Sequence, residues 1–313
     1  MNSPQNSKFT LVTRSDFDGL VCALLLKELG MISGIKFVHP KDVQEGKIDI
    51  GERDITTNLP YSNNALLVFD HHLSETLRIR GDRENWVVDP NAPSAARVVW
   101  ESFGGKERFP NVPEEMLKAV DKADSADYTL EEVLNPKGWH MLSFIMDPRT
   151  GFGRFRHFKT PNHQLMMDLI SYCQTYSIEE ILEMPDIKER VELYINHQQK
   201  FIQQLRRCTT IYDGIGAIDL RNEDTIFVGN RFIPYALFPE LKITMHIFWG
   251  RQKEVVVFAV GRSIFNRDSK ANIGEIMLRY GGGGHRNAGT CQIPINDAEK
   301  IKDELIQVIS SEM

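Results

Sequence analysis

The chain has 313 residues, of which 42% are apolar, and a length of this kind is more often divided between two domains than held in one. Its 37 basic and 43 acidic residues give a net charge of −6, which excludes a general positive surface for wrapping duplex nucleic acid or lying on an anionic membrane. A short anionic substrate stays compatible with this balance, because local basic clusters or metal ions can offset it.

The cysteines and the first residues indicate where the protein works. The cysteines stand far apart without the spacing of a zinc site, so we expect reduced thiols at Cys22, Cys173, Cys208 and Cys291. The opening segment MNSPQNSKFT is polar, unlike a signal peptide, and the apolar run LVCALLL is too short to span a bilayer. We therefore expect a cytoplasmic protein that has no membrane partner.

The first half of the chain alternates strand and helix patterns. FTLVT predicts a short strand, RSDFDG a loop, and LVCALLLKELG a buried helix that Gly30 ends. IKFVH and ALLVFD predict two further strands, and PSAARVVWESFG predicts a helix that begins near Ser94 and ends before Gly104. This alternation favours an α/β domain with a doubly wound, mainly parallel sheet, which we place over residues 1–185.

The pattern changes near Pro185. The segment DIKERVELYINHQQKFIQQLRR has helical spacing of apolar residues and many polar ones, so we predict a linking helix over residues 186–207. Strand-like runs follow in AIDL, TIFVG and EVVVFAVG, and then come a helix in NIGEIMLRY and the glycine run GGGGH. Residues 208–313 are therefore predicted to form a smaller α+β domain.

Acidic residues and histidines lie near the ends of the predicted strands. SDFDG places Asp16 and Asp18 in the first loop, and LLVFDHHLSE ends a buried strand in Asp70, His71 and His72. Two more carboxylates stand in GERDITTNLPY and DKADSADY, at Asp54 and Asp124. Alone, the first pair is more typical of a helix cap followed by a turn glycine. Together the carboxylates and an imidazole are typical of a two-metal hydrolase and favour Mn²⁺ or Mg²⁺ over zinc.

The order of these motifs resembles the DHH phosphoesterase family with its C-terminal DHH-associated domain. The resemblance rests on DFDG, a solitary Asp before the next strand, DHH, an Asp in a following helix and the late GGGGH, and it covers nearly the whole chain. It implies metal-dependent hydrolysis of a phosphoester. The family includes short-oligonucleotide exonucleases, nucleotide phosphatases, cyclic-dinucleotide phosphodiesterases and enzymes that hydrolyse pyrophosphate or polyphosphate, so the resemblance does not fix the substrate.

The resemblance also implies roles for individual residues. The metal ligands would be Asp16, Asp18, Asp54, His71 and Asp124, with Asp54 bridging two ions. His72 would face the phosphate, and Asp70 would orient a ligating imidazole. Asp121 lies three residues before Asp124 on the same helix face and is the alternative ligand.

One position departs from the family pattern. Many members carry a histidine just before the first Asp pair, where this chain has Arg14. A guanidinium stays protonated and cannot donate a lone pair to a metal, so we expect one strong metal site and one weak or incomplete site. The alternatives are that His39, at the end of IKFVH, completes the weaker site, that Arg14 binds phosphate directly, or that Arg14 simply pairs with a nearby Asp.

The C-terminal domain carries the predicted substrate contacts. Consecutive glycines let backbone N–H groups approach an anion without obstruction from side chains. The resemblance implies substrate contacts from Arg262, Asn272, Gly282, Gly283, Gly284 and His285. Together with His72, Arg262 and His285 would act in catalysis by neutralising charge on the phosphoryl oxygens. The family pattern usually has two small residues before its last glycine, whereas HRNAG in this chain is one residue tighter.

The leading expectation is a Mn²⁺-dependent phosphodiesterase that cuts 5′-phosphorylated dinucleotides or very short RNA to mononucleotides, in a cleft between domains that disfavours long polymers. Exopolyphosphatase or nucleotide phosphatase action is the alternative within enzymes. A catalytically impaired nucleotide-binding regulator is the alternative of another class, since Arg14 leaves a metal site incomplete. Four aromatic residues either stack bases or pack the core: Phe232, Tyr235, Phe238 and Phe265. No duplex nucleic acid is expected as a partner, and a homodimer is compatible with the sequence.

Overall fold

The computed structural model describes residues 8–79, 81 and 83–313, which form two compact units. The first unit comprises the chain up to Tyr128 together with Pro136–Pro148 and Phe152–Val191. The second comprises Thr129–Asn135, Arg149–Gly151 and Glu192–Met313. The two short segments of the second unit interrupt the first in sequence, and no local pattern in the sequence indicates them.

The first unit is built on a parallel five-stranded sheet. Its strands are β1 (Phe9–Arg14), β2 (Ile32–Val38), β3 (Asp54–Thr57), β4 (Leu67–Asp70) and β5 (Trp86–Val88). Their order is β2-β1-β3-β4-β5, and every neighbouring pair is parallel. The direction of winding changes between β1 and β3, and doubly wound sheets bind ligands beyond the carboxyl ends of the strands at such a point. The predicted α/β class with a parallel sheet is therefore confirmed.

Helices surround both sheets of the chain. In chain order they are α1 (Phe17–Glu28), α2 (Pro40–Gln44), α3 (Leu73–Arg78), α4 (Ala95–Ser102), α5 (Gly105–Arg108), α6 (Glu114–Ser125), α7 (Leu130–Leu134), α8 (Gly138–Met146), α9 (Asn162–Thr175), α10 (Ile178–Glu183), α11 (Pro185–Cys208), α12 (Ile233–Leu237), α13 (Ile273–Arg279) and α14 (Ala298–Glu312). Helix α1 is buried over most of its length because it packs against α4, α6 and α9 as well as against β1 and β2. This burial explains why its sequence is apolar on every face.

The second unit contains a six-stranded sheet. Its strands are β6 (Thr209–Tyr212), β7 (Ile215–Asp219), β8 (Ile243–Trp249), β9 (Val255–Arg262), β10 (Gly283–His285) and β11 (Ala288–Pro294). The order is β10-β11-β9-β8-β7-β6, antiparallel except where β7 pairs with β8. Its core includes Ile243 and Phe258 of the sheet, Ile276 of α13 and Leu305 of α14. The expectation of a second, smaller domain that contains its own sheet is confirmed.

One predicted strand is wrong. The run TIFVG, residues 225–229, forms no strand, because its backbone bonds to groups other than a neighbouring strand. The amide of Phe227 donates to Gln204 Oε1, and the amide of Val228 donates to His197 Nδ1, both at 3.1 Å. Polar side chains of α11 thus take the place of a partner strand.

The chain continues from one unit to the other through α11. This single helix, Pro185–Cys208, contains the boundary between the units, which falls between Val191 and Glu192. The domain limits predicted at residues 185 and 207 stay a prediction. All four cysteines are free thiols. None of the helices formed by the described residues combines the length and hydropathy needed to cross a bilayer, and the cytoplasmic location and the homodimer stay predictions.

Candidate functional site

A buried cluster of three potential metal ligands lies at the carboxyl edge of the parallel sheet. Asp18 lies in the first turn of α1, which follows β1, His71 follows β4, and Asp124 lies in the last turn of α6. One donor atom from each of these three residues lies within 4.8 Å of the other two. Asp18 is 3% exposed, so the group at the centre of the cluster is shielded from water.

Backbone groups hold two of the three side chains in place. The amides of Ala95 and Ala96 donate to the two oxygens of Asp18 at 3.0 and 2.7 Å, so the start of α4 fixes this carboxylate. Nδ1 of His71 lies 3.1 Å from the carbonyl oxygen of Ala92, to which it donates. In the neutral imidazole this bond leaves the lone pair on Nε2.

The Nε2 atom of His71 is the strongest sign of a ligand. It lies 2.9 Å from Asp124 Oδ2, at ion-pair distance. It is nevertheless buried and makes no hydrogen bond of acceptable geometry with any residue that the structure describes. A buried nitrogen without a hydrogen bond, next to two carboxylates, is the donor set that a divalent metal ion completes.

The ionisation of the cluster shows how much negative charge it concentrates. Burial, reinforced by the charge of Asp124, raises the pKa of Asp18 to about 7. Burial acts to lower the pKa of His71, but contact with the Asp124 carboxylate outweighs it and raises this pKa to about 10. Burial acts to raise the pKa of Asp124, and His71 outweighs it and lowers this pKa. A cation bound among these groups would relieve the same repulsion, so the residues fit a divalent metal ion.

Asp16 is paired differently from Asp18. Its Oδ2 lies 2.9 Å from Arg14 Nε, and its Oδ1 caps α1 by accepting from the amide of Gly19 at 3.0 Å. The side chain of Asn58 also donates to Oδ1, at 3.3 Å. The structure therefore separates the two carboxylates of the SDFDG loop: Asp18 faces His71 and Asp16 faces a guanidinium.

Asn58 is a candidate site residue that the sequence analysis missed. It follows β3 directly, is 1% exposed and has a φ of 54°, in the left-handed region. Its Oδ1 is buried without a hydrogen-bond partner among the described residues. A buried amide oxygen without a partner at the switch point of the sheet is a further potential ligand. The available signal was the polar residue that ends the buried run ITTN.

The bridging role expected for Asp54 has to be corrected. Asp54 begins β3 and pairs in register with Thr10 near the start of β1. Its Oδ2 accepts from the amide of Gly51 at 2.9 Å. The strand rises about 3.3 Å per residue, which puts Asp54 about 10 Å from the carboxyl end where Asp18 lies. Asn58, not Asp54, occupies the edge of the sheet that carries the cluster.

Asp70 orients the other histidine of the pair. It is fully buried, and its Oδ1 lies 2.7 Å from His72 Nδ1. The imidazole that Asp70 orients is thus that of His72, whereas His71 is held by the Ala92 carbonyl, and metal ligation by the imidazole that Asp70 orients stays a prediction. Burial acts to lower the pKa of His72, and the hydrogen bond to Asp70 outweighs it and raises this pKa, which favours a positive charge on the ring.

The two alternative ligands, Asp121 and His39, form other interactions. Asp121 accepts a hydrogen bond from Ser94 Oγ at 2.7 Å and forms an ion pair with the guanidinium of Arg97. His39 caps α2, where its Nδ1 accepts from the amide of Lys41 at 3.2 Å. Neither side chain belongs to the cluster that contains Asp124.

The predicted substrate residues of the second unit have structural partners. Arg262 donates to Asn287 Oδ1 at 3.1 Å and also bonds to the carbonyl oxygen of Ser269, so it holds the loop of residues 263–269. Asn272 caps α13 by accepting from the amide of Glu275 at 3.4 Å. Their roles in substrate binding stay predictions.

The glycine run leads into β10, which contains its last two glycines and lies at one edge of the second sheet. A Cβ at Gly282 would lie 2.1 Å from a carbonyl oxygen of β11, and one at Gly284, whose φ is 156°, would lie 2.3 Å from another. Gly283 has open space at its Cβ position, and His285 is exposed. The segment HRNAG is tight because residues 286 and 287 alone connect β10 to β11. Contact of the run with an anion stays a prediction.

The aromatic residues divide between the two expected roles. Phe232 and Tyr235 are 3% and 4% exposed, so they pack in the interior. Phe238 is half-buried. Phe265 is 37% exposed and is the one of the four whose ring is substantially accessible to a ligand.

Comparison with solved structures finds a similarity of high identity along the whole chain. No protein-family model matches the chain, and no curated protein sequence matches it. Among solved structures, PggH from Vibrio cholerae, a pGpG-specific phosphodiesterase, is 55% identical and covers 98% of this chain and 100% of its own, with a TM-score of 0.83. CDC45 from Entamoeba histolytica is 9% identical over 97% of this chain and 95% of its own, with a TM-score of 0.56, which shows a shared fold alone.

Proposed function

The chain belongs to the DHH phosphoesterase family, and from this premise we propose that it is a metal-dependent phosphodiesterase that cuts 5′-phosphorylated dinucleotides such as pGpG to mononucleotides. The observation that carries the proposal is the buried cluster of Asp18, His71 and Asp124, in a chain 55% identical throughout its length to a pGpG-specific phosphodiesterase. The cluster supplies the chemistry and the similarity supplies the substrate class.

The proposed cofactor is Mn²⁺, with Mg²⁺ as the alternative. Two carboxylates and one imidazole are a donor set that suits both ions. Asp18, His71 and Asp124 would hold the ion, which would supply Lewis-acid chemistry for a water nucleophile and for the phosphoryl oxygens. We propose one strong site at this cluster and a second that is weak or empty, because Asp16 is already neutralised by Arg14.

Arg14 is proposed to bind the substrate phosphate. Its Nε faces Asp16, and its side chain is 31% exposed, so the guanidinium is anchored by one edge and accessible to solvent. A planar guanidinium held in this way can donate to phosphate oxygens with little loss of side-chain freedom. His72, whose Nδ1 is held by Asp70 and whose pKa this contact raises, is the second group proposed to face the phosphate, at the same edge of the sheet. The interaction of each group with the phosphoryl oxygens becomes stronger as negative charge grows on them.

The test is product analysis on a panel of phosphorylated substrates. The panel contains pGpG, pApA, a tetranucleotide, a 20-mer, cyclic di-GMP and polyphosphate, each with Mn²⁺ and with excess chelator. We expect GMP from pGpG, slow or no cleavage of the 20-mer, and loss of activity in chelator and in His71→Ala. The matched control is His163→Ala, which removes an exposed histidine of α9. Cleavage of polyphosphate without cleavage of any dinucleotide, or equal rates in Mn²⁺ and chelator, would refute the proposal.

A further inference from the structure

An open cavity of about 500 Å³ lies within the second unit and plays no part in the metal cluster. Its lining residues are Leu130, Tyr235, Ala236, Pro239, Phe265, Asn266, Arg267 and Asp268. Sites for small molecules usually have volumes of about 300–1,000 Å³, so the cavity has the size of a nucleotide-scale site. Its lining combines apolar side chains with a few polar ones, as such sites do.

The apolar part of the lining is exposed where a ligand would lie. The side chain of Phe265 is 37% exposed and that of Leu130 is 50% exposed, although both are large and apolar. Tyr235 is fixed in the wall, since its hydroxyl lies 2.8 Å from Thr244 Oγ1 and donates to the carbonyl oxygen of Gly261 at 2.7 Å. An accessible phenyl ring beside aliphatic surface suits a flat heterocycle, because a base can stack there without regard to its hydrogen-bonding edge.

The loop that carries Phe265 is held in one conformation. Ser263 Oγ accepts from the amides of Phe265 and Asn266 at 3.2 and 3.0 Å. Arg262 bonds to the carbonyl oxygen of Ser269 at the other end of the loop. A ligand that binds such a loop does not have to order it first, which preserves binding free energy.

The polar part of the lining distinguishes between bases. Across the residues that the structure describes, no N–H or O–H group donates to the carboxylate of Asp268, which is exposed at the cavity. Guanine presents two adjacent N–H donors, at N1 and N2, which one carboxylate can accept together. Adenine presents one donor beside the acceptor N1, and this acceptor would face a carboxylate lone pair. A lone carboxylate therefore favours guanine over adenine.

We propose that this cavity binds a guanine base of the substrate, with Phe265 and Leu130 contacting the ring and Asp268 accepting hydrogen bonds from N1 and N2. The proposal rests on the proposed function and adds the site that selects the base. Arg262 is then a positioning residue, because it acts on the base through the loop that it holds.

The test compares ligands that differ by one hydrogen-bond donor. Affinities for pGpG, for pIpI, which lacks the 2-amino group, and for pApA are measured by calorimetry in excess chelator, where hydrolysis does not occur. The same ratios are measured as kcat/KM in Mn²⁺. Wild type should prefer pGpG to pIpI by about tenfold or more, as expected for a lost hydrogen bond to a charged group.

The variants separate the carboxylate from the ring. Asp268→Asn should bring the pGpG to pIpI ratio close to one, and Phe265→Ala should weaken both ligands about tenfold without changing the ratio. The matched control is Asp303→Asn, which removes an exposed carboxylate of α14 and should leave the ratio unchanged.

The outcomes distinguish this inference from the proposed function. A wild-type ratio in Asp268→Asn, or equal affinity of wild type for pGpG and pIpI, would overturn the guanine site even if dinucleotides are cut. Absence of dinucleotide cleavage, together with a preference for pGpG that Asp268→Asn abolishes, would refute the function and support the cavity.

Discussion

Binding of Mn²⁺ should stabilise the protein through the Asp18–His71–Asp124 cluster, and His71→Ala should remove most of this effect. The cluster is buried, and its Nε2 atom lies at 2.9 Å from Asp124 without a hydrogen bond. At a free ion concentration of 100 times Kd, binding to the native state alone contributes about 2.7 kcal/mol. For a domain of this size, 1 kcal/mol corresponds to about 2–4 °C in Tm, so the expected increase is about 5–10 °C.

Loss of the imidazole removes one of three donors. If Kd rises about 100-fold, the same ion concentration only equals Kd, and the stabilisation falls to about 0.4 kcal/mol, or about 1 °C. Thermal unfolding followed by fluorescence, with and without Mn²⁺, measures both shifts. His163→Ala serves as the control and should keep the wild-type shift. The reasoning would be refuted if His71→Ala kept the full shift, or if saturating Mn²⁺ left wild type unchanged.

The remaining predictions test neighbouring residues of the same unit. Asp124→Asn should abolish Mn²⁺ binding in a calorimetric titration. Asp121→Asn removes the ion-pair partner of Arg97, so it should lower Tm but leave the affinity for Mn²⁺ within a few-fold of wild type. The opposite result would exchange the roles of the two residues. Arg14→Met should lower kcat/KM on pGpG about 100-fold, with partial recovery in Arg14→Lys, and loss of Mn²⁺ binding instead would contradict a role at the phosphate. Gly19→Ala should destabilise the fold by about 1–3 kcal/mol in urea denaturation, because a Cβ there would lie 2.0 Å from the carbonyl oxygen of Arg14; an unchanged midpoint would disprove this packing.

Patterns in the sequence predict the parallel sheet and the three residues of the cluster. Apolar runs such as FTLVT and LLVFD are long enough to predict buried strands, and polar residues immediately after a buried strand must lie at its carboxyl end. His71 comes directly after such a run, and Asp18 lies in the first turn of the helix that follows another. The structure brings both together with Asp124.

The wrong predictions for Asp54 and for TIFVG have related physical causes. The sequence of a short strand does not show at which residue the strand begins. In GERDITTNLP the acidic residue was expected to be a metal ligand, but Asp54 is the first residue of β3, where its side chain accepts a hydrogen bond from the amide of Gly51. The residue at the functional edge is Asn58, four positions later. The strand predicted for TIFVG does not form, because side chains of α11 accept hydrogen bonds from its backbone amides. The run itself contains no pattern that indicates these distant partners.

The packing around β10 changes what the motif GGGGH can tell about other chains. At Gly282 and Gly284 a side chain would collide with backbone oxygens of β11, and at Gly274 a Cβ would lie 2.7 Å from the carbonyl oxygen of Gly284. These collisions would occur whether or not a ligand is bound. A glycine run at this position of another chain therefore reports the packing of the sheet edge and does not by itself indicate the substrate. We expect substrate preference to be set instead by residues such as 265–268, which line the cavity.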